Sequence, residues 1–77
     1  MRILIENTIY NIIRVEKSVC SPILYITIPL LLPNKYRIYT IEFRNDYYMT
    51  DAFYNLLNKG YFNTEHHSVK EISFQDI

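Results

Sequence analysis

The sequence predicts a small α+β domain: an antiparallel sheet of three to five strands with one helix, over about residues 47–59, packed on one face, in the order β-β-β-α-β. Three features predict it. Residues 23–28 and 36–43 are rich in β-branched and aromatic side chains and flank the turn-forming Pro33-Asn34-Lys35. Residues 45–60 change from a period of two to a helical period. The only glycine, Gly60, stands where that helical segment has to stop.

The amino-terminal segment fits two patterns. Ile5, Ile9, Ile12 and Ile13 match a helical stripe, while Ile9, Asn11, Ile13 and Val15 match one face of a strand. The β-branched content and the lack of alanine favour strands, so Arg2–Ile5 and residues 9–15 are expected to be extended, with a turn at Glu6-Asn7 between them. Residues 18–22 form a loop that carries Cys20. Ile23-Leu24-Tyr25-Ile26-Thr27-Ile28 then starts an antiparallel hairpin whose second arm is residues 36–43. Pro29 has no amide hydrogen, which places it at an edge, at a bulge or where pairing ends. In the second arm Tyr39, Ile41 and Phe43 share the core face, and Ile38, Thr40 and Glu42 the more polar one.

The helix follows from Met49, Phe53, Leu56 and Leu57, spaced i, i+4, i+7, i+8, with Asp46 or Thr50 as its cap and Lys59-Gly60 as its stop. After Tyr61-Phe62 comes a polar turn over residues 63–67. Ile72 and Phe74 then alternate with Glu71 and Ser73 in a final strand within residues 69–77. The 77 residues show no repeat or linker and read as a single domain, 1–77.

A domain of this size is short of burial. Ordering it costs about 1.5 kcal/mol per residue, and it hides only about 60% of its unfolded surface. With one cysteine, no intramolecular disulfide and no cysteine-based zinc site can add to that. The arm that begins at Ile23 sharpens the shortage, because Leu24, Ile26, Ile28 and Leu30 line one face and Ile23, Tyr25 and Leu31 the other. One helix covers one face. Ile23, Tyr25 and Leu31 are therefore the expected interface of a homo-oligomer, with a dimer as the simplest case.

Composition excludes several functions. Eight basic side chains against eight acidic ones leave no net charge, unlike a chain built to neutralise phosphates. A single glycine rules out a glycine-rich phosphate loop. The longest apolar run, residues 23–32, contains Thr27 and Pro29 and is half the length of a membrane span. No secretory pattern opens the chain, and a lone cysteine suits a reducing compartment, so a cytoplasmic location is expected.

Candidate chemistry is sparse. His66 and His67 are adjacent, and on an extended segment adjacent side chains diverge, so the pair reads as a solvated turn and no metal or other cofactor is expected. Cys20 has no catalytic signature around it and reads as a small structural residue. The eight tyrosines are less easily dismissed. Some of them, such as Tyr39 and Tyr61, suit a core or its rim, while the class as a whole is favoured at protein interfaces. Tyr36, Tyr39, Tyr47 and Tyr48 are the expected partner-binding residues.

The expected function is therefore non-enzymatic protein binding. Ile, Asn, Tyr, Lys, Phe and Met supply 37 residues and Gly, Ala, Arg and Pro only 9, which points to an AT-rich genome. Small size and such coding fit a phage or mobile-element inhibitor of a host defence system, of the anti-CRISPR kind, by analogy of class alone. The alternative is a nucleic-acid or nucleotide binder that stacks bases on sheet aromatics beside Arg37 and Arg44. Those two arginines lie an odd number of positions apart and face opposite ways on a straight strand, which disfavours a shared phosphate clamp.

Overall fold

Glu6 and Asn7 close the first hairpin with φ of 48° and 69°, the doubly left-handed backbone of the tightest two-residue turn. They join β1 (Arg2–Ile5) to β2 (Thr8–Asn11), with Ile5 opposite Thr8. In this computed structural model, which describes residues 1–72, the chain continues through β3 (Arg14–Lys17), β4 (Ile23–Pro29), β5 (Tyr36–Glu42), α1 (Asp46–Lys59), β6 (Tyr61–Asn63) and β7 (Ser68–Ile72). The class is α+β, as the sequence predicts. Seven strands replace the three to five expected, and they form two sheets, ordered β2-β1-β6 and β3-β4-β5-β7.

The second strand expected over residues 9–15 is two strands, and the reason lies in its middle. Ile12 N donates to Met1 O at 2.8 Å and Ile13 N to Thr27 O at 3.0 Å, so consecutive amides serve different sheets. Inward positions run Tyr10 and Ile12 before this corner and Val15 after it, so the parity changes. One extra residue does this, as at a β-bulge. Ile9 and Ile13 consequently face solvent, whereas Val15 packs on the core.

A second corner lies near the other end of the chain. β6, unassigned by the sequence pattern, runs parallel to β1, and Thr64 extends the contact by donating from its backbone N (3.1 Å) and its Oγ1 (2.6 Å) to Leu4 O. His67 N then donates to Thr64 O at 2.9 Å, and β7 pairs with β5 in the other sheet. Of the expected final strand, Ser73 and Phe74 lie outside the described residues. Val69, not Ile72, is the side chain of β7 that packs on the core.

The β4–β5 hairpin matches its expected faces. Leu24, Ile26 and Ile28 are buried against Tyr39, Ile41 and Phe43, and Pro29 ends the pairing opposite Tyr36. Leu30, expected among the buried set, lies beyond the strand and is exposed. Ile3 and Ile5 complete the core from β1, and Met49, Ala52 and Leu56 from α1.

α1 is set by its ends. Asn45, not Asp46 or Thr50, is the N-cap, its Oδ1 accepting from Tyr48 N at 3.1 Å. Gly60 takes φ 72° and returns its N–H to Leu56 O at 2.8 Å, as the left-handed stop requires. A Cβ built on Gly60 meets nothing within 4 Å, so only the backbone conformation resists a side chain there. Gly60→Ala should therefore lower stability by about 1 kcal/mol and the melting temperature by about 4–8 °C, with Gly60→Asn costing clearly less. Thermal melts of the three chains followed by circular dichroism check this, and equal losses for alanine and asparagine would contradict it.

Candidate protein-binding surface

Fourteen helical residues carry more apolar surface than the core can use. At about 100° per residue, Ala52, Leu56, Met49 and Phe53 occupy one arc and Leu57, Thr50, Tyr54 and Tyr47 the next, roughly 220° in all. The core takes the first arc. Of the second, Tyr47, Tyr54 and Leu57 face water at 73%, 52% and 46% exposure and Thr50 is half-buried; Asp46, in the first turn, falls between the two arcs, and Asp51, Asn55, Asn58 and Lys59 lie on the polar side. Leu57, expected in the core stripe, belongs to this outer one, and Ala52 takes its place inside.

Tyr54 of the outer stripe is held by its neighbours. Lys17 Nζ of β3 stands 5.2 Å from the Phe53 ring centre and 5.6 Å from that of Tyr54, and those two rings meet edge to face at 5.4 Å. Side chains fixed before binding lose less entropy when they bind. At the start of the helix Tyr47 and Tyr48 make a second edge-to-face pair at 5.5 Å. Tyr48 also lines a shallow open groove of about 370 Å³ together with Phe43, Arg44, His66 and His67.

The structure separates the residues singled out from the sequence. Tyr47 and Tyr48 begin α1, whereas Tyr36 lies at the far end of β5. Tyr39 is 8% exposed and packs in the core against Tyr10, with ring centres 5.9 Å apart, so it offers no surface to a partner. Tyr54 and Leu57 were not singled out, although the three- and four-residue steps from Tyr47 to Thr50, Tyr54 and Leu57 are visible in the sequence. Ile23 and Tyr25 are half-buried on the outer face of β4, and Leu31 is fully exposed in the turn beyond Pro29, off the end of that strand.

The other candidates resolve individually. His67 packs edge to face on Phe43, with ring centres 5.2 Å apart, and lies equally close to Phe62, while His66 takes φ 71° in the turn. Among the described residues no three His, Cys, Asp or Glu side chains come together to hold a metal. Cys20 is exposed, not a packed structural residue. Arg37 Nε pairs with Glu71 at 3.2 Å and its Nη1 donates to Tyr39 Oη at 3.4 Å, which occupies the guanidinium proposed for phosphate. No helix among the described residues is long and apolar enough to cross a membrane.

Burial pushes the Tyr39 phenol above the ordinary tyrosine range, against the hydrogen bond from Arg37 and with that shared with Tyr10. A value raised by folding stabilises the fold fully below the unfolded value of about 10, and that contribution is lost as pH rises through the folded one. Tyr39→Phe keeps the ring and removes the titration. Urea midpoints above about pH 10 should fall more steeply for the wild type than for the variant, and parallel curves would show that Tyr39 ionises as freely as an exposed phenol. Comparisons with protein families, with curated proteins and with solved structures find no match, so the function is read from the surface itself.

Proposed function

We propose that the chain is a non-enzymatic protein-binding domain whose contact surface is the outer stripe of α1: Tyr47, Thr50, Tyr54 and Leu57. One observation carries this reading. The core buries one stripe of α1, and beside it Tyr47, Tyr54 and Leu57 stay exposed. A surface helix ordinarily needs one such stripe. The choice of tyrosine also supports binding, since its ring supplies contact area while its hydroxyl keeps the free surface wettable.

The partner chemistry that fits is an apolar groove or helix face with acceptors for the tyrosine hydroxyls, and with an acidic side chain to meet Lys17 at the stripe's edge. Coding bias and small size support the narrower reading that this partner is a component of a host defence system blocked by a phage or mobile-element protein.

The immobilised chain, offered the lysate of a host cell, separates the stripe from the rest of the surface. A specific partner should be retained by the wild type and by Tyr36→Ala, at the opposite end of β5, and be lost with Tyr54→Ala and Leu57→Ala. With that partner purified, each stripe variant should weaken binding by about tenfold to a hundredfold, the range of a buried aromatic or aliphatic anchor. Equal affinity for all four chains would show that the stripe is not the contact.

A further inference from the structure

We infer that two copies of the chain pair through the edge of β3 that is free among the described residues, antiparallel, with the two-fold axis at Val15. This surface is distinct from the α1 stripe. β3 ends the sheet β3-β4-β5-β7, with β4 on one side of it. Ser18 N donates to Ile23 O at 2.9 Å in the register of that pair, so the alternate residues Glu16 and Arg14 also direct their backbone groups toward β4. Val15 and Lys17 direct theirs away. Those outward donors and acceptors are what an added strand would use.

The side chains select the added strand. Residues opposite each other across an antiparallel pair share a face, so the two-fold axis of a self-paired β3 falls on Arg14, Val15 or Glu16. An axis at Arg14 sets Arg14 against its own copy, and one at Glu16 does the same for the carboxylates. Only the axis at Val15 sets Arg14 against Glu16 of the second copy, twice, with the Val15 pair between them exchanging both backbone hydrogen bonds. Charge of a single sign along this face would repel a second copy. Here the sign alternates along one face.

Within one chain these two side chains are free to change partner. Arg14 Nε and Glu16 Oε1 are 4.0 Å apart, and the side chains are 69% and 59% exposed. β7, the other end of the sheet, lacks this complementarity, because self-pairing centred on its middle residue would oppose Lys70 to itself. α1 meets β3 from the inner side, through Lys17, and leaves Arg14 and Glu16 on the outer one. The joined sheets place Tyr25, which lies opposite Glu16 on β4, beside the seam.

Sedimentation equilibrium tests the pairing. The wild type should reach the mass of two chains where each chain is 9.3 kDa. R14E and E16R should each weaken self-association by about tenfold or more, because each creates two like-charge pairs across the axis. An equimolar mixture of the two variants should recover the two-chain mass, since one copy then carries two acids and the other two bases. Y54A should leave the mass unchanged, which keeps the result independent of the proposed function. A wild type that stays at one-chain mass at millimolar concentration, a variant that associates as the wild type does, a mixture that stays monomeric, or loss of the dimer in Y54A would each overturn the inference.

Discussion

Two consecutive amides, Ile12 N and Ile13 N, donate into different sheets, and the way this short chain encloses a core follows from that corner. A flat sheet with one helix would leave Ile3 and Ile5 of β1 outside. Turning β2 into β3 across a bulge instead folds the β1 sheet over the β4 sheet, so Ile3 and Ile5 meet Leu24, Ile26 and Ile41 in one cluster. Thr64 makes the return corner with two donors on a single carbonyl, Leu4 O. Between these corners the sheets shield each other, and the burial that looked scarce from length alone is gained from sheet on sheet before the helix adds its share.

This arrangement explains what could and could not be read beforehand. The β4–β5 hairpin, its two faces and the stop at Gly60 were legible because each depends on residues close in sequence: alternation in one case, a left-handed glycine in the other. The corner was not, because Ile12 and Ile13 are chemically identical and no glycine or proline marks the change of face. β6 was missed for a different reason. Its three residues are too few for a periodicity, and its partner is β1, far away in sequence. Tyr39 was legible as a core-facing position of β5, yet not as the partner of Tyr10, since that contact exists only once the two sheets are stacked.

The candidate surface shows the same divide. Tyr47 could be chosen from sequence because it opens the helix on an exposed turn, while Tyr36 and Tyr39 were grouped with it on residue type alone. What the grouping lacked was direction. The helical angle that separates Tyr48 from Tyr47 also joins Tyr47 to Tyr54 and Leu57, and Lys17 reaches Tyr54, with Phe53 beside it, from a strand that approaches α1 only in the folded chain.

A helix set beside a core already closed by two sheets needs to contribute less than a helix covering an open sheet. Met49, Ala52 and Leu56 suffice, and one of the three is alanine. The neighbouring arc is then free of packing constraints, so leucine and two tyrosines there cost solubility without any return in stability that the fold requires. The proposed contact with another molecule gives them a role. The edge of β3 poses the complementary case, backbone groups that lack partners among the described residues beside side chains whose charges alternate. One surface offers rings and no backbone, the other backbone and few rings. Contacts of such different chemistry suit the two proposed occupants, a copy of the chain at the edge and a foreign protein on the helix, which do not compete because α1 meets β3 on its inner side.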